Sequence, residues 1–186
     1  MIRIISGQWR GRKLQTPEGE ETTRPTSERT RETLFSMLAS RLGSFEELRF
    51  ADLFAGSGAL GLEALSRGAA HCIFAEQAPP ALRAIRANVA NLKAQAQCDV
   101  RATSVMALGP TKQALDVVLL DPPYGTGAGE VAIDKLRRLG WINEGTWVAL
   151  ETGEKEVPRV KGFAIDAERK VGKGKLTLMR LEATEA

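Results

Sequence analysis

From Arg49 onward the sequence alternates short apolar runs with stretches of helical spacing, and this rhythm limits the possible folds more than any other feature. RFADLF is followed by a helical pattern over Ala59 to Arg67, HCIFAE by one over Pro80 to Lys93, and ALDVVLLD by one from about Gly129 to Leu139, with DVRAT as a further strand between. TWVALE and two strands near Gly162 to Glu168 and Lys175 to Leu181 close the chain. Upstream, IRII and RKLQT flank SGQWRG as a small hairpin. SERTRETLFSMLASRL then sets Leu34, Phe35, Leu38 and Leu42 at helical spacing behind an N-cap at Thr26 or Ser27. Strand and helix in alternation imply a parallel sheet covered by helices on both faces, with ligands at the C-terminal ends of the strands. Gly43 to Leu48 is the one expected linker.

At 186 residues, 43% hydrophobic and 26% charged, the chain can bury one substantial core. It has no run of 18 apolar residues, and arginines are scattered through its MIRIISGQWRGRK start, so the expectation is a cytoplasmic protein with no membrane partner. Cys72, Cys98 and His71 cannot supply a zinc cluster or a disulfide framework, so the chemistry is expected to run without histidine and without metal. The balance of 26 basic against 23 acidic residues is nearly even, but Arg10, Arg12 and Lys13 cluster near one end and Lys173 and Lys175, in RKVGKGK, near the other. Converging, they would attract a polyanion. Charge alone fits an ordinary solvated surface better.

DLFAGSGALG, Asp52 to Gly61, places Gly56, Gly58 and Gly61 as G-x-G-x-x-G between strand and helix, and Glu76 closes the next strand 20 residues after Gly56. Such a loop lets the backbone approach an adenosine-containing cofactor, and the acid accepts from ribose hydroxyls. The glycines alone do not separate NAD from S-adenosylmethionine. Asp52 favours the latter, because a strand-end carboxylate repels a pyrophosphate and attracts an ammonium and a sulfonium. The segment alone also fits a structural role, with Asp52 capping a turn and Gly61 packing helix on strand.

VVLLDPPYG, Val117 to Gly125, ends a buried strand in an acid, two prolines and an aromatic ring. Asp121 and the Pro122 carbonyl form two acceptors suited to the two N–H bonds of an exocyclic amine. Pro122 and Pro123 fix the backbone and bring no competing N–H. Tyr124 offers a flat face on which an extruded base can stack. In isolation the same residues also make a structural turn.

GQWRGRKL, RPTSERTRETLF, DLFAGSGALGLEALSRGA and DPPY, in this order, resemble the RsmD family of bacterial 16S ribosomal RNA guanine-N2 methyltransferases, from Ile4 to about Leu181. The resemblance implies a Rossmann-like α/β class I methyltransferase fold, a seven-stranded mixed sheet flanked by helices, with residues 1–23 as a hairpin and loop appendage and 24–186 as a single methyltransferase domain. It implies S-adenosylmethionine as donor, S-adenosylhomocysteine as product, and a guanine of 16S rRNA as acceptor, met in an assembling 30S subunit. A monomer is expected by default. Asp52, Phe54, Gly56, Ser57, Gly58 and Glu76 would then line the cofactor pocket, Arg24 and Thr26 border its methionine end, and Asp121, Pro122, Pro123 and Tyr124 hold the guanine. Where the family often has acids or amides near the adenine, this chain has Ala78, Thr103 and Ser104. Thr103 or Ser104 is expected to contact the adenine through a hydroxyl or amide. Trp9, Arg10, Arg12, Lys13, Lys173 and Lys175 are the RNA-binding candidates. An adenine or cytosine amino-methyltransferase shares the catalytic logic but usually carries a recognition domain for which this chain has no room. An NAD-dependent oxidoreductase leaves Asp121 and Tyr124 idle, and an RNA-binding module explains only the basic ends.

Overall fold

The computed structural model describes residues 2–17 and 27–183. VVLL becomes strand β6, Val117–Leu120, with all four side chains buried, because β6 has neighbours on both edges and packing on both faces. On one side lie β3 (Arg49–Leu53), β4 (His71–Glu76) and β5 (Cys98–Ala102), and on the other β7 (Trp147–Gly153), all parallel to β6. Two antiparallel strands, β9 (Gly174–Leu181) against β7 and β8 (Phe163–Val171) outermost, complete a seven-stranded mixed sheet. The expected seven strands are all present. The chain leaves β3 for β4 and β5 in one direction and returns to β6 on the other side, so the strand order reverses between β3 and β6. Crevices at the carboxyl edge of such a reversal are where ligands bind.

Alternation divides the core. Phe50, Cys72, Phe74, Val117, Leu119, Trp147 and Ala149 face helices α1 (Glu28–Leu42), α2 (Ala59–Ser66) and α3 (Pro79–Asn91). Ala51, Ile73, Val118, Leu120 and Val148 face α4 (Ala128–Arg138) and the segment around Trp141. Ser27 caps α1, its hydroxyl accepting the Thr30 N–H at 3.1 Å, one of the two caps the sequence allowed. Gly43 to Leu48 is no free linker, since Phe45 is buried between Phe35 and Phe50, with ring centroids 6.1 and 5.5 Å away.

Gly61 shows why the helix after β3 can lie so close to the sheet. A Cβ there would sit 2.4 Å from the Phe74 ring and 2.7 Å from Cys72 Sγ, so only glycine lets α2 pack on β4. Gly61→Ala should cost about 1–3 kcal/mol through overpacking. Chemical denaturation, with an unchanged dependence on denaturant, is the check.

The N-terminal hairpin pairs only β1 (Ile2–Arg3) with β2 (Lys13–Leu14), shorter than its sequence suggests. Backbone bonds from Ile4 N–H to the Arg12 carbonyl and from Gly11 N–H to the Ile4 carbonyl, both 2.9 Å, continue it, and tertiary contacts anchor it. Ile4 and Leu14 are each 1% exposed and belong to the main core. Fully buried Glu63 on α2 accepts the N–H groups of Ile5 at 2.9 Å and Ser6 at 3.1 Å, and pairs with fully buried Arg31 at 3.2 Å and with Arg67 at 2.9 Å. Asn88 on α3 accepts from Gln15 N–H at 2.7 Å and donates to the carbonyls of Gln15 and Ser57 at 3.0 Å. That last network ties the hairpin to the glycine loop.

Candidate active site

Past β3 the backbone turns through three left-handed residues in quick succession, Phe54, Gly56 and Gly58, at φ 60°, 57° and 82°. Glycine takes this conformation freely, whereas a bulky residue such as Phe54 takes it at a cost that the surrounding structure must sustain. The turn lays the glycine loop across the carboxyl edge and starts α2 beneath it.

Glu76, at the end of β4, fixes this loop. One carboxylate oxygen accepts from Gly56 N–H at 2.9 Å, and the other from Gln77 and Ala78 N–H, both at 2.8 Å. A carboxylate has about four lone-pair sites, so capacity for a further hydroxyl remains.

Asp52 is 1% exposed and accepts from Gly61 N–H at 2.9 Å, bracing the first turn of α2. This is the turn-bracing role that the sequence left open for Asp52 beside a ligand contact. Burial pushes the Asp52 carboxyl well above its usual range, the Gly61 N–H opposes that rise, and nearby Asp121 and Glu76 add to it. For an acid whose folded pKa lies above its unfolded value, the stabilising contribution is full below the unfolded pKa, about 3.9, and is lost as pH rises through the folded one. Asp52→Asn mimics the protonated acid and escapes that loss. The ligand-free variant should therefore unfold at a higher temperature than wild type, with a gap that opens as pH rises above about 4. Thermal scans across pH read this directly.

A single cavity of about 820 Å³ joins these strand ends. Asp52, Phe54, Gly56, Ser57, Glu76, Thr103, Ser104, Asp121, Pro122, Pro123 and Tyr124 all line it, so the glycine-loop and DPPY candidates meet in one place. Gly58 lies behind the wall, where a Cβ would be 3.4 Å from Ile85 and Phe74. Thr103 N–H donates to the Glu76 carbonyl at 3.0 Å, and the Ser104 hydroxyl caps a short turn by accepting Met106 N–H at 3.2 Å, its own proton left to donate. Sequence reasoning missed Pro17, Pro80 and Val105, which with Ala78 give the cavity apolar walls. Pro80 and Ala78 follow Glu76 closely enough to have been suspected. Pro17 carried no signal. Arg24 and Thr26 lie outside the described residues.

Tyr124 sits over two glycines that pair across β7 and β9. A Cβ on Gly153 would come within 3.5 Å of its ring, and one on Gly174 within 2.5 Å of its hydroxyl oxygen.

The hairpin tip lies away from the cavity, although Ile2 and Pro17 at the base of the hairpin, near Lys13, line it. The hairpin tip is held at the C-terminal end of α2, where Gln8 N–H donates to the Ser66 carbonyl at 2.8 Å and Trp9 N–H to the Ser66 hydroxyl at 3.0 Å. The cavity is at the other end of that helix, about 12 Å away at 1.5 Å per residue. Trp9 is half-buried against the core, and Arg12 donates to the Asn91 carbonyl at 2.9 Å at the end of α3, while Arg10 and Lys13 are exposed. Lys173 is exposed on the β8–β9 turn at the cavity side. Lys175 is a correction: it is 6% exposed, and its ammonium donates to the Glu156 carbonyl and lies 3.9 Å from Glu168. Buried against Glu156 and Glu168, its ammonium is not available to a phosphate.

Comparison with known proteins agrees with this geometry. The family described as conserved hypothetical protein 95 matches residues 2–180. Ribosomal RNA small subunit methyltransferase D of Escherichia coli is 38% identical over 184 residues, covering 98% of this chain and 91% of that one. The solved structure of the Escherichia coli yhhF protein is 37% identical, with a TM-score of 0.85 over 98% of this chain and 99% of that one. A ribosomal protein L11 methylase from Lactobacillus delbrueckii, 19% identical over 83% of this chain and 80% of that one at a TM-score of 0.66, shares the fold alone. The fold is that of class I methyltransferases, with a small antiparallel hairpin added at the N-terminus.

Proposed function

The chain belongs to the RsmD family, and on that premise we propose that it transfers a methyl group from S-adenosylmethionine to the exocyclic N2 amine of a guanine in 16S ribosomal RNA. The observation that carries the reading is the meeting of Asp52, Glu76 and the Asp121 to Tyr124 segment in one cavity at the strand-order reversal.

The cavity fits the cofactor chemically. Asp52 is a buried carboxylate that gains a counter-ion from an ammonium or sulfonium, Glu76 retains lone pairs for ribose hydroxyls, and Ala78, Pro80 and Val105 offer an apolar wall to an adenine. When bound, S-adenosylmethionine supplies an electrophilic methyl group. A cation beside Asp52 lowers its raised pKa, so binding is expected to weaken as pH falls through the ligand-free value. Asp52→Asn, the variant expected to gain stability, is expected to lose cofactor affinity.

The remaining chemistry belongs to the chain's own groups. The lone pair of an exocyclic amine is delocalised into the base and is a poor nucleophile. Asp121 and the Pro122 carbonyl would accept its two N–H bonds and hold the nitrogen out of conjugation, aimed at the methyl. The displacement is then promoted chiefly by positioning and fixed dipoles. Tyr124 would stack on the base, a contact worth about 1–3 kcal/mol. Asp121 and Pro122 treat any exocyclic amine alike, so guanine N2 rests on the family and on the relatives named as small-subunit rRNA methyltransferases.

Lys173, beside the Tyr124 end of the cavity, is the better-placed phosphate contact, and Arg10 and Arg12, near the hairpin tip, would meet RNA only at a distance. Lys173→Ala should flatten the salt dependence of RNA binding by about 0.7 to 0.9 in log–log slope. An unaltered slope removes Lys173 from the RNA face.

The function itself is tested with labelled S-adenosylmethionine and, separately, 30S subunits, naked 16S RNA and DNA. Label in the ribosomal RNA, recovered as N2-methylguanine after digestion, is the expected result. Label in DNA, or in adenine or cytosine, would replace the reading with an amino-methyltransferase of another substrate.

A further inference from the structure

We infer that Glu156, just beyond β7, is a positioning residue that sets the stacking face of Tyr124. The inference rests on the proposed function, in which Tyr124 meets the substrate base. Its basis is one carboxylate bonded to two separate pieces of backbone. One oxygen accepts from Gly153 N–H at 2.5 Å, at the end of β7, and the other accepts from Gly125 N–H at 3.1 Å, the residue directly after Tyr124. Glu156 is itself held, because its N–H donates to the Gly153 carbonyl at 3.1 Å and its carbonyl accepts from the buried Lys175 ammonium.

The segment so tied needs an outside anchor. Gly125 and Gly127 have φ of 73° and 70°, so the chain between Tyr124 and α4 runs through two residues with wide conformational freedom. On its other side Tyr124 rests on the Gly153–Gly174 pair, whose missing side chains leave the slot that its ring and hydroxyl occupy. The glycine pair makes the space, and Glu156 fixes the distance between the floor of that space and the backbone that carries the ring. Lys175, which the sequence suggested as an RNA contact, holds the clamp from beneath. No bond of the reaction involves Glu156.

The test uses the full chain with Glu156→Ala and, because Gln keeps one acceptor oxygen, Glu156→Gln. Three quantities are read: cofactor affinity by calorimetry, the single-turnover rate at saturating RNA, and the fluorine NMR line of protein carrying ring-fluorinated tyrosine. The chain has a single tyrosine, so that line reports Tyr124 without assignment. Glu156→Ala should keep cofactor affinity within about twofold and lose about 10- to 100-fold in rate, the scale expected for a misplacement near 1 Å. Its fluorine line should shift and broaden, with Glu156→Gln intermediate in both readouts. An unchanged line overturns the inference whatever the rate does, and so does a rate within about twofold of wild type. A wild-type protein that methylates no RNA sinks the proposed function instead, while the fluorine line still reports on the clamp.

Discussion

Glu63→Ala is expected to destabilise the protein by about 3–5 kcal/mol, the usual cost of breaking a buried ion pair by removing one partner. The fully buried Arg31 would keep its charge and lose the carboxylate that now offsets its burial. Burial already presses the Arg31 guanidinium toward the neutral form, and the Glu63 carboxylate opposes that pressure most strongly. The same change strips acceptors from the Ile5 and Ser6 N–H groups and from Arg67, so the hairpin should loosen along with the core beneath it. Arg31→Met combined with Glu63→Leu should recover much of the loss, because a volume-matched apolar pair has no charge to desolvate. It should not recover all of it, since two hairpin amides stay without their carboxylate. Denaturant unfolding of wild type, single and double variants separates the two contributions.

The parts of this molecule that could be read from sequence are those where local pattern and tertiary role coincide. VVLL is a central strand because it is apolar on both faces, and Gly61 is needed because α2 lies on Phe74 and Cys72. Asp52, Glu76 and Asp121 could be placed at one edge because each ends a parallel strand, and parallel strands end together. What was not legible depended on partners distant in the chain. Lys175 reads as one more basic residue of the tail until its ammonium is seen held by the Glu156 carbonyl and beside Glu168, where it is buried. Trp9 reads equally as a stacking platform or a packing residue, and only the docking of the hairpin on Ser66 shows it half-buried. Glu156 lies in ETGEKEVP, a polar stretch with no motif, and its role depends on Gly125, 31 residues earlier. Pro17 reaches the cavity only because the hairpin folds back on α3.

Asp121→Asn is expected to lose about 10²- to 10³-fold in methyl transfer, the size of effect seen when one preorganised hydrogen-bonding partner is removed from a reacting centre. In the proposed reaction Asp121 serves as an oriented acceptor more than as a base, because the amine becomes strongly acidic only as the methyl arrives, and its proton can then pass to carboxylate or water. Asparagine keeps one acceptor oxygen but can turn an NH2 donor against the substrate amine. Alanine removes the acceptor altogether and should be comparably slow. Neither change should disturb the fold, since Asp121 is only half-buried at a strand end, nor the cofactor contacts made by Asp52 and Glu76. The measurement is the single-turnover rate of methyl transfer by Asp121→Asn at saturating RNA and S-adenosylmethionine, with cofactor affinity determined on the same preparation. Unchanged cofactor affinity with a rate reduced at least a hundredfold, about 2.7 kcal/mol, is the predicted result. Transfer within about threefold of wild type, a difference below about 1 kcal/mol, would contradict the acceptor role and leave the DPPY segment a structural turn.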